Sequence, residues 1–478
     1  MQIREDEGTN RDALRLPQSA TVLVGAVALA LVSGGCSLLR KDQIHHEVNP
    51  SRQPAARCEL SAGSAPRILG IGISGGGSRA AVFGAAALEA LAEHGMLGQV
   101  SHLSSVSGGS LTAAYYLSLP PDCEDTETEC WHDYFSVLKG HMRHRFGRWT
   151  LLRNSVPWRF SSPTRRVTSL QEVLDNQFLG GKTFGDLGSH PVLLINATNY
   201  DETRRFVFSN VCLAEGAADP SGSSERYRVM AEKALEQRAL QAFTFSRPKC
   251  MRPVPTDLPV SLAVASSAAF PGVLGPVSIQ APATCDGDKP EWWHLGDGGV
   301  IENQGIDSLH EVLLRRLAED GPPLEKALMI SLDAGLHSDA ETFKGQRNFE
   351  MHQDPGKLGL VVESPRVRGQ AYHDIFWSEL LEELAKEGIG YEKLTFLYTE
   401  AELEETPASC AKQIADGKTI HDLLLEVETK FSIPECHADL MEMAAHRLVH
   451  ATLDDETARR LTSEGFSVSA VRECALEH

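Results

Sequence analysis

Residues 67–79 read RILGIGISGGGSR, and residues 80–95 continue as AAVFGAAALEALAEHG. A short apolar run followed by a helical one then repeats as HLSSVS (102–107) and SLTAAYYLSL (110–119), which is β-α-β-α order and predicts a mainly parallel sheet. At the first strand-to-helix turn stand three consecutive glycines, Gly75, Gly76 and Gly77, followed by Ser78 and Arg79. A tight turn needing positive φ asks for one or two glycines. Three can aim bare backbone N–H groups, backed by a helix N-terminus, at one negative oxygen, so the loop reads as an anion hole. Gly70, Gly72 and Gly75 also satisfy G-x-G-x-x-G, but the acidic residue of a dinucleotide site should end the second strand, whereas Glu89 and Glu93 sit inside the first helix. That reading is rejected, and no cofactor is expected.

The second strand ends in Ser105-Val106-Ser107-Gly108-Gly109 and enters a helix. In a nucleophile elbow the serine occupies a strained turn at the strand's end, and small neighbours let its hydroxyl project; Ser107 is the expected nucleophile. Farther on, Gly296-Asp297-Gly298-Gly299 follows the apolar WWHL strand. An aspartate at the carboxyl end of a parallel strand, within hydrogen-bond reach of a serine, can take its proton directly, which makes Asp297 the expected base. Taken singly, a Ser-Gly turn and an Asp-Gly turn are common. Asp286 and Asp288 in CDGDKP mimic a metal loop but lack a third and fourth ligand, so a turn is expected there. His446 and His450 have the i, i+4 spacing of a helical metal pair, yet no Glu follows His446 as in H-E-x-x-H; they are read as two histidines on a helix face, and no metal is expected.

In chain order, ISGGGSRA, SVSGGS and GDGG resemble the patatin-like phospholipase family, whose members hydrolyse acyl esters of lipids with a Ser–Asp dyad. Residues 265–271, ASSAAFP, continuing to Leu274, Pro276 and Val277, resemble a further stretch of that family, as does Asn196-Ala197-Thr198-Asn199 before Arg205-Phe206-Val207-Phe208. The resemblance covers roughly residues 67–335, with Ala80 where the family usually has Gly and Ser105 where the elbow usually has its first Gly. It implies a three-layer α/β/α fold with a mainly parallel central sheet. It also implies that Ser107 attacks the ester carbonyl, that Asp297 accepts its proton, that the N–H groups of Gly75, Gly76 and Gly77 hold the oxyanion, and that Arg79 orients the loop or meets a phosphate. The implied substrate is a phospholipid or lysophospholipid. Two rivals are a Ser-His-Asp esterase with His310, His337 or His373 as base, and a non-catalytic lipid-binding envelope protein on the same fold.

Further strands are expected at 192–196, 292–296 and 327–332. Residues 213–249 turn to Ala, Ser, Glu and Arg, consistent with an inserted loop and surface helix. From about residue 337 the segments DIFWSELLEELAKEG, TIHDLLLEVETKF and ADLMEMAAHRLVHATL have helical spacing, so residues 336–478 are expected to be mostly helical after an acyl-hydrolase domain at 67–335. No internal repeat is visible.

Residues 20–32, ATVLVGAVALALV, form an uncharged run of h-region length that leads through Ser33-Gly34-Gly35 into Cys36. This is similar to a lipoprotein signal, which implies a lipidated Cys36, with Ser37 suited to outer-membrane sorting. Extended through Leu39, the run reaches the length of a single transmembrane anchor stopped by Arg40 and Lys41. Either way residues 1–36 tether the body to a membrane in the cell envelope, and the polar stretch 37–66 is a linker. Setting Cys36 aside, nine of the ten cysteines remain. Cys123 with Cys130 and Cys212 with Cys250 are the pairings to test in an exported chain, against scattered buried thiols.

The chain has 478 residues, 42% hydrophobic and 23% charged, which excludes a disordered or polytopic membrane protein. Its 45 Lys plus Arg against 65 Asp plus Glu leave a net charge of −20, which repels nucleic acid and anionic surfaces as a whole. Residues 139–166 depart from that balance, with eight Lys and Arg and no Asp or Glu. Arg145, Arg148 and Arg159, interleaved with Trp149 and Trp158, suit phospholipid head groups and the membrane interface, so this segment is expected to dock a membrane beside the active site, unless it is a solvated face paired with the chain's carboxylates. The expected partners are a lipid substrate and a membrane surface, and not nucleic acid; oligomeric state is left open.

Overall fold

A computed structural model of the chain describes residues 44–46, 65–123, 127–144, 150, 152–153, 163–211, 226–236, 256–271, 273–280, 292–318, 324–335 and 355–469. Among these residues nine strands make one sheet: β1 (Ile44–His46), β2 (Arg67–Ile73), β3 (His102–Val106), β4 (Val192–Asn199), β5 (Arg204–Ser209), β6 (Val277–Gln280), β7 (Trp292–Asp297), β8 (Lys326–Asp333) and β9 (Gly390–Leu397). Twelve α-helices accompany them among the described residues: α1 (Ser78–Glu93), α2 (Gly108–Ser118), α3 (Thr128–Met142), α4 (Pro163–Leu174), α5 (Arg226–Glu236), α6 (Val260–Ser267), α7 (Ile306–Ala318), α8 (Pro355–Lys386), α9 (Ala411–Ala415), α10 (Ile420–Leu425), α11 (Glu435–Thr452) and α12 (Asp455–Ser463). The order across the sheet is β1-β6-β7-β4-β3-β2-β8-β9, with β5 paired to β4. Strands β9, β8, β2, β3 and β4 run parallel, as the β-α-β-α order predicts; β5 and β7 run antiparallel to β4, and β6 antiparallel to β7.

Side chains alternate across the sheet, so each strand feeds two cores. Leu69, Ile71, Ile73, Leu193, Ile195, Leu328, Ile330 and Leu332 face the core shared with α1, α2, α3, α4, α6 and α11. Ile68, Val192, Leu194, Ala327 and Met329 face the opposite core with α5, α7 and α8. Three layers, α/β/α, result. Helix α1 shows why small residues matter: SRAAVFGAAALEALAE is buried almost all round, and its alanines let α2, α3 and α11 approach it closely.

Residues beyond 335 join this body. Strand β9, unforeseen within a region expected to be mostly helical, lies parallel to β8 over Lys326↔Gly390 to Asp333↔Leu397, and α11 packs along α1. The helical spacing of 419–431 is realised only in α10, which ends at Leu425. Beyond it, the Val427 carbonyl accepts from the Arg79 side chain and the Lys430 carbonyl from the Ser78 N–H, so those groups are committed elsewhere than to a helix. Disulfides join Cys123 to Cys130 and, unforeseen, Cys410 to Cys436 at the start of α11. Cys212 and Cys250 lie outside the described residues, as do Cys36 and the rest of residues 1–42. No helix among the described residues is long and apolar enough to cross a membrane.

Candidate active site

Strand β4 has two edges, and β5 occupies one of them from Leu194 to Asn199. The other is shared. Strand β3 pairs with it in parallel up to Val106↔Asn196, and β7 pairs with it antiparallel from Ala197↔Asp297. The two strands therefore run toward each other along one edge and end head to head. Ser107 leaves the end of β3 where Asp297 ends β7, and the Ser107 hydroxyl donates to Asp297 Oδ2 at 3.1 Å. Asp297 thus closes an antiparallel strand, not the parallel one expected, because only a strand running against β3 can bring its carboxyl end to this point.

Ser107 stands at φ 49° and ψ −116°, the strained turn expected of an elbow, and leads directly into α2. Its N–H donates to Ser267 Oγ at 2.8 Å; Ser267 Oγ lies 3.0 Å from Ser110 Oγ and donates in turn to the Asn196 carbonyl. Ser267 lies in the ASSAAFP stretch that the sequence singles out without a role. Gly108 must lack a side chain, since a Cβ there would sit 2.0 Å from the Gly77 carbonyl. That close approach lays the glycine loop against the elbow.

Within the loop the three N–H groups differ. The Gly75 N–H donates to the Asn303 carbonyl at 2.8 Å, so it is withdrawn from the expected anion hole. The Gly76 and Gly77 N–H groups donate to no partner among the described residues. Gly77, at φ 62°, caps the N-terminus of α1. Arg79 is fully buried, its guanidinium donating to the carbonyls of Ala334 (2.8 Å) and Val427 (2.5 Å) and to Thr429 Oγ1 (3.1 Å), and lying over the Tyr398 ring at 5.1 Å. Of its two expected roles this geometry fits loop orientation; a phosphate contact would require all of these bonds to break.

Asp297 is 5% exposed, accepts the Gly299 N–H on Oδ1 at 2.7 Å, and its carbonyl accepts from Thr198 Oγ1 at 2.7 Å. Burial, and then the Asp297 charge, push the neighbouring Tyr200 phenol up to about 12, so it stays neutral. Asn196 donates to Ser104 Oγ and the Ser105 carbonyl, each at 2.9 Å, tying β4 to β3 just below the elbow. In front of Ser107 opens a cleft of about 380 Å³, counting the space open to solvent, walled by Leu111, Leu170, Leu174, Val264, Ala268 and Phe431. Phe431, with the chain at 427–430 that grips Arg79 and Ser78, is a contribution from the C-terminal region that the motifs do not signal.

No histidine bonds to Ser107 among the described residues. His310 and His373 lie with Tyr391 and Trp377 by the opposite core, His310 Nε2 bonding Tyr391 Oη at 2.9 Å, and His337 lies outside the described residues. Arg145, Arg148, Trp149, Trp158 and Arg159 also lie outside them. The cations of that segment whose contacts are described pair with this chain's own carboxylates: Lys139 with Glu89 (2.6 Å), Arg143 with Asp439 and Glu442 (2.7 Å each), and Arg153 with Glu172 (2.5 Å).

Three kinds of comparison place the chain. The patatin-like phospholipase family model matches residues 72–310, half of the chain and all three motifs. No curated protein matches it significantly. Among solved structures, human GIVD cytosolic phospholipase A2 is 14% identical, with a TM-score of 0.44 over 84% of this chain and 60% of that one. Its complex with methyl gamma-linolenyl fluorophosphonate gives 14% and 0.40, covering 83% and 59% of the two chains. VipD from Legionella pneumophila is 11% identical, with a TM-score of 0.26 and 86% and 71% covered. The chain therefore spans about 60% of the length of the human enzyme. With half its length matched, and with the elbow, the glycine loop and the GDGG turn all inside the match, the chain belongs to the patatin-like phospholipase family.

Proposed function

We propose that the chain is a serine acyl-hydrolase that cleaves carboxylic esters of phospholipids or lysophospholipids through an acyl-enzyme. The observation that carries this reading is the 3.1 Å hydrogen bond from Ser107 Oγ to Asp297 Oδ2 at the mouth of an apolar cleft. Asp297 accepts the Ser107 proton as Oγ attacks the ester carbonyl. The developing oxyanion is met by the N–H groups of Gly76 and Gly77, whose charge complementarity is enhanced by the α1 N-terminus. Collapse expels the alcohol, which takes the proton back from Asp297, and leaves the acyl group on Ser107. Asp297 then takes a proton from water, hydroxide adds to the acyl carbonyl, and the fatty acid leaves as Oγ is reprotonated. Leu111, Leu170, Leu174 and Val264 suit the acyl chain, which gains by leaving water.

The body is tethered through Cys36 or a membrane-spanning leader, and residues 145–159 dock the bilayer; both readings rest on the sequence. The test is fatty-acid release from mixed phospholipid vesicles by protein lacking the leader and by its Ser107→Ala variant. Release by the first alone, with unchanged folding of the second, is expected, and the released acids identify the substrate class. Activity in Ser107→Ala would overturn the dyad, and release by neither would favour a lipid-binding role on the same fold.

A further inference from the structure

A second cluster lies at the other end of α1, about 24 Å from the glycine loop by the helical rise of ~1.5 Å per residue. Glu93 on α1 faces His446 and His450 on α11, and among the described residues their ligand atoms all lie within 4.8 Å of one another. His450 Nε2 is 3.1 Å from Glu93 Oε2, and His446 Nδ1 is 3.9 Å from the same oxygen.

The hydrogen bonds behind these atoms fix which nitrogen of each ring faces Glu93. His94 Nδ1 bonds the Ser469 carbonyl at 2.7 Å, and a carbonyl only accepts, so Nδ1 carries the hydrogen. Its Nε2 bonds His450 Nδ1 at 3.0 Å, which fixes the orientation of the His450 ring. The ring's other nitrogen, His450 Nε2, is the one turned toward Glu93. His446 Nε2 donates to the buried Glu89 carboxylate at 3.0 Å, which leaves His446 Nδ1 as the nitrogen facing Glu93.

Two imidazole nitrogens and a carboxylate oxygen thus converge on one small volume between α1 and α11. Ligands at ~2.0–2.1 Å from a tetrahedral zinc ion lie about 3.3 Å apart, close to the 3.1 and 3.9 Å found here. Each imidazole is also oriented through its far nitrogen, His446 by a carboxylate and His450 by His94, as metal-bound histidines are.

We propose that Glu93, His446 and His450 bind a divalent transition-metal ion of the zinc type, with water in the remaining position. The third protein ligand, Glu93, is supplied by a different helix from the two histidines. All three ligands are partly exposed, so the ion can enter from solvent. It would lock α11 to the far end of α1, and with it the chain at 427–431 that reaches Arg79 and the cleft.

The test uses the full chain stripped with a chelator and titrated calorimetrically with zinc chloride, alongside Glu93→Gln, His446→Ala and His446→Ala/His450→Ala. One zinc per wild-type chain is expected, weakened at least about 10-fold in each single variant and lost in the double variant, with cobalt giving the visible spectrum of a four-coordinate site. Saturating zinc should raise the thermal midpoint of the wild type by a few degrees and leave the double variant unmoved. Near-UV circular dichroism of the stripped proteins checks their folding, and Glu93→Gln, which keeps the side-chain shape, decides the case if a histidine variant fails to fold. Absence of zinc binding to the wild type would overturn the proposal, as would equal binding by wild type and Glu93→Gln.

Discussion

Ser107 holds φ 49° and ψ −116°, a conformation that a residue with a Cβ adopts only under constraint. The constraint is visible: its N–H is held by Ser267, its hydroxyl by Asp297, and its successor Gly108 is pressed against Gly77. The strain aims Oγ away from the sheet and into the cleft. Ser107→Ala and Ser107→Gly both lose the hydroxyl, but only glycine relieves the backbone. Ser107→Gly is therefore expected to unfold at higher denaturant than Ser107→Ala, by about 1 kcal/mol, the reverse of the usual penalty for glycine. Equal midpoints in paired denaturation curves would mean that the turn is unstrained.

At the scale of elements, the site is a junction of strand ends supported by helix starts. Strands β3 and β7 meet on one edge of β4, and α1 and α2 both begin there, so two helix N-termini face the same small volume. The element that ties them is α6, whose last residue, Ser267, touches both Ser107 and the Asn196 carbonyl. Ser267→Ala leaves a buried N–H and a buried carbonyl without that partner. A loss of about 1–3 kcal/mol in stability is expected, with kcat reduced about 10-fold and KM little changed, because the substrate cleft itself is intact. Denaturation and steady-state kinetics on one ester substrate check both parts, and a change confined to KM would contradict this placement.

Over the whole molecule, the C-terminal region completes the domain that carries the motifs. It supplies the edge strand β9, the helix α11 that covers α1, and the stretch at 427–431 that binds Arg79, Ser78 and the cleft wall. The Cys410–Cys436 disulfide closes a chain of 26 residues around that stretch. A loop of this length contributes roughly 3 kcal/mol through the entropy removed from the unfolded chain. Cys410→Ser/Cys436→Ser is thus expected to lower stability by about 2–4 kcal/mol, read as a shifted denaturation midpoint, and to loosen the packing around Arg79 and Phe431. A midpoint unchanged from wild type would place the bond outside the cooperative unit.

What the sequence determined by itself is local: the strand-to-helix turns, the three glycines, the serine flanked by small residues and the aspartate between glycines, each legible because its neighbours in the chain dictate its backbone. The resemblance of those motifs, in their order, to one family carried the expected pairing of Ser107 with Asp297. Only the tertiary structure decided how that pairing is made, because the two residues lie 190 positions apart and meet through the shared edge of β4, in a strand direction the motif does not encode. The same holds for which glycine N–H is free, since Asn303, 228 residues away, claims the first. It holds for the burial of Arg79 among the carbonyls of Ala334 and Val427, and for the Glu93–His446–His450 cluster, in which Glu93 lies more than 350 positions from either histidine. Motifs record what a segment can do; long-range packing, which buries some of those groups and leaves others free, selects what it does.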